Sequence, residues 1–284
     1  WLLGIQNIII AINKMDLVGY DKKTFDYICK DFLSITKNLS IKEIDFVPVS
    51  ALRGDMVVER GKNMEWYNGP TLLDILESAN ISSLEHEGSI RFPVQLVNRV
   101  DNQDTKDFRG YMGTSLSGTI SVGDSIKVLP TNKVTKIKEL FLSSKSVEKI
   151  NFQDSATVIL EDEIDISRGY IFTSIEDQPE VSNTISARIC WMDEENLNPK
   201  KKYLLKQCSK TSKAMIKEIL YKVDMETLNH ISAKSTLEMN DVAQVEIMLQ
   251  NQIVFDTYKK NKHTGSFILI NSESNNTVAA GTIL

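Results

Sequence analysis

Apolar and polar positions along the chain follow two rhythms, and the change falls near residue 90. In the first part an apolar run, Ile8-Ile9-Ile10-Ala11-Ile12, is bounded by Gln6-Asn7 and Asn13-Lys14. Such a run predicts a strand buried on both faces, as in a parallel sheet. Residues 20–39 then carry Phe25, Ile28, Phe32, Ile35 and Leu39 three and four apart, the apolar stripe of an amphipathic helix. Asp45-Phe46-Val47-Pro48-Val49 predicts a second short strand. Strand, helix and strand of these lengths form a right-handed βαβ unit with parallel strands. A loop over 53–70 leads to a short helix from Thr71. There Thr71 and Asp74 have the spacing of a capping box, and Leu72, Leu73, Ile75 and Leu76 supply the apolar side. The polar, irregular stretch 77–88 reads as a domain boundary.

From Ile90 the period becomes two. Ile90, Phe92, Val94 and Leu96 alternate with Arg91, Pro93 and Gln95, which predicts a half-buried strand. Residues 119–122 and 125–129 flank Gly123-Asp124 and read as a hairpin. With 134–142, 156–160 and 170–175 they make a first small antiparallel barrel. Further strands over 187–192, 203–208, 215–221, 242–249 and 267–270 make a second. The predicted class is α/β plus all-β, with domains over 1–86, 87–180 and 181–284.

Composition narrows the function classes. A length of 284 residues suits two or three domains, and 42% hydrophobic with 25% charged residues suits a soluble globular protein. A net charge of −5 disfavours a surface built to hold phosphates, so no nucleic-acid partner is expected. Cys29, Cys190 and Cys208 are odd in number and lack C-x-x-C pairing, which predicts reduced thiols in a cytoplasmic protein. No apolar segment reaches membrane-spanning length and no signal peptide is visible, so no membrane association is expected.

Several polar groupings read as ordinary surface. Glu161-Asp162-Glu163 with Asp165 lacks EF-hand spacing, and Lys200-Lys201-Lys202 reads as a solvated loop. His86, His230 and His263 have no Cys or carboxylate at catalytic spacing. Met64, Trp66 and Tyr67 suit packing at least as well as docking, and Arg53-Gly54-Asp55 is a loop tripeptide.

The candidate chemistry lies at the carboxyl end of the first strand, where open α/β sheets bind ligands. That end delivers Asn13-Lys14-Met15-Asp16. A carboxylate such as Asp16 accepts two hydrogen bonds, which matches the N1–H and exocyclic amine that guanine presents and adenine does not. Asn13 suits the purine's other edge, and the Lys14 stem can cover the ring face. The βαβ crossover brings Ser50-Ala51-Leu52 to the same sheet edge. Asn-Lys-x-Asp after an apolar strand resembles the guanine-recognition motif of the GTPase superfamily. That resemblance implies nucleotide contacts from Asn13, Lys14, Asp16 and the Ser50-Ala51-Leu52 segment, with the Ala51 amide donating to the guanine carbonyl.

A base-binding half followed by two barrels resembles the translation-factor class of GTPases, such as elongation factor Tu. Longer segments are similar to the large subunit of bacterial sulfate adenylyltransferase. They are 47–55 (VPVSALRGD), 64–73 (MEWYNGPTLL), 107–111 (DFRGY), 160–169 (LEDEIDISRG) and 276–283 (NTVAAGTI). The resemblance implies the C-terminal part of a P-loop GTPase domain followed by two elongation-factor-Tu-like barrels. It also implies a regulatory GTPase that binds GTP and pairs with a small catalytic subunit. GTP hydrolysis there drives formation of adenosine 5′-phosphosulfate and pyrophosphate from ATP and sulfate. No catalytic residue and no metal ligand is assigned to the 284 residues. Delivery of aminoacyl-tRNA, and a partner-binding barrel module, are the alternatives.

The chain opens Trp1-Leu2-Leu3-Gly4, which reads as the tail of a helix in a longer protein. The G-x-x-x-x-G-K-[ST] loop, the switches and the Mg2+ ligands are expected upstream. Gly54 to Gly61-Lys62-Asn63 has six intervening residues and no hydroxyl after the Lys, so it is no substitute. Asp16-Leu17-Val18-Gly19 and Asp107-Phe108-Arg109-Gly110 spell D-x-x-G in the wrong order, and the loop 100–106 is longer than the family's. Without upstream strands the Ile8–Ile12 strand would present an unpaired edge. The 284 residues alone are expected to bind GTP weakly or not at all. Titration calorimetry checks this, with tight magnesium-dependent binding as the contrary result.

Overall fold

The computed structural model describes residues 7–36, 43–79, 88–102, 105–224, 227–232 and 236–284. Leu39 and His86 lie outside them, as does the side chain of Ile35. The chain divides into two compact units, residues 1–82 with 225–229, and 83–224 with 230–284.

In the first unit β1 (Asn7–Ile12), α1 (Lys22–Thr36), β2 (Glu43–Pro48) and α2 (Leu72–Ser78) follow one another. The strands pair in parallel, from Asn7↔Glu43 to Ile12↔Pro48, as the βαβ pattern predicts. Burial of β1 on both faces does not hold. Ile8 to Ile10 are half-buried, Ala11 is exposed, and only Ile12 is enclosed. Among the described residues β1 has one strand neighbour and one apolar cluster against it, so its other side stays partly open.

Helix α1 is capped by Asp21, whose carboxylate accepts the Thr24 N–H at 2.9 Å and the Thr24 hydroxyl at 2.9 Å. Phe25 is buried against Trp66, with ring centroids 5.3 Å apart, whereas Ile28 is exposed. Met64 is buried and Tyr67 packs in the same cluster, so these residues serve packing. The capping box of α2 forms as expected: the Thr71 hydroxyl accepts the Asp74 N–H at 3.2 Å, and Asp74 accepts the Thr71 N–H at 3.0 Å. Only Ile75 of its apolar residues is buried, while Leu73 and Leu76 are exposed.

The second unit opens with a barrel of β3 (Arg91–Asn102), β4 (Thr105–Thr114), β5 (Ile120–Ser121), β6 (Ser125–Leu129) and β7 (Lys133–Leu142). Completing it are β8 (Lys145–Val147), β9 (Lys149–Ile150), β10 (Ser155–Leu160) and β11 (Ile171–Thr173). The order β10-β4-β3-β11-β6-β7 closes through β7–β10 pairing. Three expectations change. A bulge between Val94 and Leu96 turns Leu96 outward and brings Val97 against the core. The expected hairpin about Gly123-Asp124 is a turn between strands with different partners, since β5 pairs with β9 and β6 with β7 and β11. Residues 100–102 and 105–106 are paired in β3 and β4, with Asn102 opposite Thr105. Strand β4 escaped the alternation rule because glycines interrupt it. A Cβ at Gly113 would lie 2.3 Å from the Pro93 carbonyl, so close backbone approach requires glycine there.

The second barrel contains β12 (Glu180–Trp191), β13 (Tyr203–Gln207), β14 (Lys210–Val223), β15 (His230–Ile231), β16 (Val242–Phe255), β17 (Ser266–Asn271) and β18 (Thr277–Ile283). Its order β13-β17-β18-β12-β16-β14 closes through β13–β14 pairing around Trp191, Tyr203, Leu205 and Ile247.

Arg91, read from the alternation as an outward residue, is buried instead. Its Nε donates to Asp256 Oδ2 at 2.7 Å and its Nη2 to Asp256 Oδ1 at 2.9 Å. Nη1 reaches the carbonyls of Ile90 at 2.9 Å and Asp177 at 3.0 Å. Asp256 Oδ2 also accepts the Thr264 hydroxyl at 2.8 Å, and Lys260 stands 3.3 Å from Oδ1. This pair joins β3 of one barrel to the residue after β16 of the other. An apolar cluster of Leu129, Ile171 and Val254 accompanies it.

Burial raises the Asp256 carboxyl, but the hydrogen bonds and charge of Arg91, with Thr264 and Lys260, bring it below the ordinary carboxylate range. A folded value below the unfolded one gives stability that is complete above about pH 4 and lost as pH falls through the folded value. Asp256→Ala should cost about 3 kcal/mol by removing the bidentate partner of Arg91 and leaving it the longer Asp177 contact at 3.4 Å. Asp256→Asn should remove this share of acid sensitivity. Guanidinium unfolding at pH 7 and pH 3 measures both.

Candidate functional site

The site is built where β1 and β2 end side by side. After Ile12 the chain leaves the strand, and Val49 N–H still donates to the Ile12 carbonyl at 2.9 Å. Met15 N–H returns a bond to the Val49 carbonyl at 3.2 Å, and the Met15 side chain is buried. One enclosed residue in an otherwise polar segment leaves Asn13 and Lys14 exposed and Asp16 half-buried. Lys14 adopts a left-handed backbone (φ 65°, ψ 32°), which turns the chain into a short 3-10 segment, Met15–Val18.

The second loop meets the first through side chains. The hydroxyl of Ser50, fully buried, donates to Asp16 Oδ1 at 2.7 Å. Asn13 Oδ1 accepts the Lys14 N–H at 2.7 Å and the Ala51 N–H at 3.1 Å. Ala51 is exposed, and Leu52 is 82% exposed beside it. All six residues expected from the motif therefore lie on two adjoining loops. One detail differs. The Ala51 N–H, expected to meet a guanine carbonyl, is bonded to Asn13, so it must share or exchange that bond to act on a base.

Sequence reading missed what lies behind these loops. Asp55 is buried, and its Oδ2 accepts the Tyr20 hydroxyl at 2.9 Å and the Asn63 amide at 3.0 Å. The Asp55 carbonyl accepts the Ser50 N–H at 3.1 Å. The Tyr20 N–H donates to the Met15 carbonyl at 2.8 Å, and Trp66 Nε1 donates to the Tyr20 carbonyl at 2.9 Å. Partial burial raises the Tyr20 phenol above its ordinary value, and the Asp55 hydrogen bond and charge raise it further, so it stays protonated and donating. Leu72 and Leu73 at the start of α2 donate their N–H groups to the carbonyls of Met56 and Val57, both at 3.0 Å, which ties the loop down. The available signal was an acid among small and apolar residues (Gly54, Asp55, Met56). The Gly54–Asn63 stretch packs on Asp55, with Gly61 against its carboxylate and Asn63 donating to it.

The other polar groupings have partners of their own. Asp162 accepts the Thr135 hydroxyl at 2.8 Å, and Glu163 and Asp165 face Arg109 and Arg99 at 3.9 Å and 3.6 Å. Lys201 pairs with Glu273 at 3.3 Å and with Glu195 at 3.8 Å. His230 stacks on Tyr221 with centroids 3.7 Å apart. Cys29, Cys190 and Cys208 are free thiols, and burial pushes Cys208 up to about 12. Among the described residues no group of three or more His, Cys, Asp or Glu could hold a metal ion. Among them, too, no helix is long and apolar enough to cross a membrane.

Comparison with known proteins follows this geometry. Residues 184–284 match the family described as GTP-eEF1A C-terminal domain-like. Sulfate adenylyltransferase subunit 1 of Saccharophagus degradans is 42% identical over 283 residues, covering 100% of this chain and 59% of that protein. The bifunctional enzyme CysN/CysC of Xylella fastidiosa is 38% identical, covering 99% of this chain and 44% of that protein. The chain thus spans under two thirds of the length of these relatives. In fold it is similar to sup35 complexed with GDP, with a TM-score of 0.63, 19% identity, and coverage of 99% of this chain and 70% of that one. Elongation factor SelB from Methanococcus maripaludis superposes with a TM-score of 0.57 and 24% identity, covering 98% of this chain and 58% of that one. These likenesses agree with a GTPase-type α/β part followed by two elongation-factor-like barrels.

A Cβ at Gly61 would lie 2.1 Å from Asp55 Oδ1, and its φ of +68° disfavours any side chain. Gly61→Ala is expected to destabilise the first unit by about 1–2 kcal/mol or more, read as a shift in its denaturant midpoint.

Proposed function

From end to end the chain resembles sulfate adenylyltransferase subunit 1, and on that premise we propose that it is part of a regulatory GTPase subunit of that enzyme. Asn13, Lys14, Asp16, Ser50, Ala51 and Leu52 bind the guanine base of GTP. Hydrolysis in the intact protein drives formation of adenosine 5′-phosphosulfate from ATP and sulfate, chemistry carried out by a separate small catalytic subunit in the cytoplasm. Magnesium accompanies the phosphates and is held by residues other than those described above.

The observation that carries this reading is the Ser50–Asp16 hydrogen bond of 2.7 Å beside the Asn13 amide. Ser50 occupies one carboxylate oxygen, and Asp16 Oδ2 has no hydrogen-bond partner among the described residues. A carboxylate held in this way presents acceptors to the N1–H and 2-amino group of guanine. Adenine, with no donor at either position, gains nothing from it. Asn13 keeps its Nδ2 donor for the purine N7, because its Oδ1 is engaged by backbone.

In the intact protein Asp16→Ala is expected to reduce preference for guanine over adenine nucleotides by about 1–3 kcal/mol, the size of a bidentate base contact. Asp16→Asn replaces an acceptor with an amide donor, so it should favour xanthine, which carries a carbonyl in place of the 2-amino group. Competition binding with GDP, XDP and ADP measures both. Adding the catalytic subunit should couple GTP turnover to adenylyl-sulfate formation. Absence of coupling, together with salt-dependent tRNA binding, would favour the aminoacyl-tRNA reading instead.

A further inference from the structure

Recognition of a base by two loops from different strands needs their separation fixed to within about 0.5 Å. Two of the side-chain links between the loops, Ser50 to Asp16 and Ala51 to Asn13, use the very residues that meet the base. A ligand competing for those groups would loosen the frame it depends on. The Tyr20–Asp55 hydrogen bond has no such conflict. Tyr20 ends the first loop, Asp55 ends the second, and neither is a motif residue.

Tyr20 is also held in an unfavourable backbone state. Its φ is 60°, a left-handed conformation that bulky side chains rarely adopt. Such strain persists only where the surroundings over-determine it, and it marks positions where placement matters. Here three bonds do so: N–H to Met15, carbonyl from Trp66 and hydroxyl to Asp55. On the other side Asp55 is fixed by Asn63 and by its own carbonyl, which holds the amide of Ser50, the residue whose hydroxyl orients Asp16. The chain of contact from Tyr20 to Asp55, Ser50 and Asp16 is continuous.

Resting on the guanine reading above, we propose that Tyr20 and Asp55 are positioning residues that latch the two base-binding loops and so set discrimination at the purine 2-amino group. The test compares GDP with IDP, which differ only in that amine. Phosphate and ribose contacts are the same for both, so a change in the affinity ratio reports the Asp16 carboxylate's placement alone.

In the intact protein Tyr20→Phe, which removes one oxygen, should lower the GDP/IDP affinity ratio at least fivefold, with a smaller loss for IDP, which keeps the N1–H but lacks the amine. An unchanged ratio, or equal losses for both nucleotides, overturns the latch. Should Tyr20→Phe prove unfolded by its melting curve, Asn63→Ala carries the test. It removes the second donor to Asp55 and should shift the ratio in the same direction, with an unchanged ratio again overturning the proposal. A wild-type protein that fails to prefer GDP over ADP overturns the guanine reading and the latch together. A wild type that prefers GDP, with variants that keep the full ratio, overturns the latch alone.

Discussion

Parallel pairing of β1 with β2, in register from Asn7↔Glu43 to Ile12↔Pro48, is the constraint on which the site depends. A parallel pair ends both strands at the same sheet edge, so loops 37 residues apart in sequence, as Asn13 and Ser50 are, become neighbours. A shift of one residue would turn the buried Ile12 outward and the exposed Ala11 inward. The buried Met15 and its bond to the Val49 carbonyl hold that register at the critical end. The chemistry of the loops is therefore a product of backbone pairing first and of side-chain identity second.

Elements with local signals were legible in the sequence. Thr71 and Asp74 announced the capping box of α2, and the βαβ spacing announced the parallel pair. The six motif residues could be named because their spacing follows a strand with strong apolar character. What alternation could not supply was anything set by a distant partner. Leu96 faces solvent because an extra residue enters β3. Ile120 pairs with Ile150 in place of the adjacent strand. Asp55 looked like surface because Tyr20, which covers it, lies 35 residues away.

Arg91 shows the same limit most sharply. An arginine in an alternating strand reads as a solvent-facing residue, and no local pattern marks it as buried. Its partner lies 165 residues downstream, after a strand of the other barrel. Arg91 is satisfied by a bidentate carboxylate, two carbonyls and a longer contact to Asp177 Oδ2 at 3.4 Å, which is the condition under which a buried guanidinium is tolerated.

That junction has a consequence for how the barrels can diverge. Each contributes one half of an ion pair that is harmless only in the presence of the other. A chimaera that takes one barrel from a relative inherits a compatibility rule: positions 91 and 256 travel together, or the graft buries a guanidinium left with the longer Asp177 contact in place of its bidentate partner. Drift at either position is then checked by its counterpart, so the two modules are inherited as one.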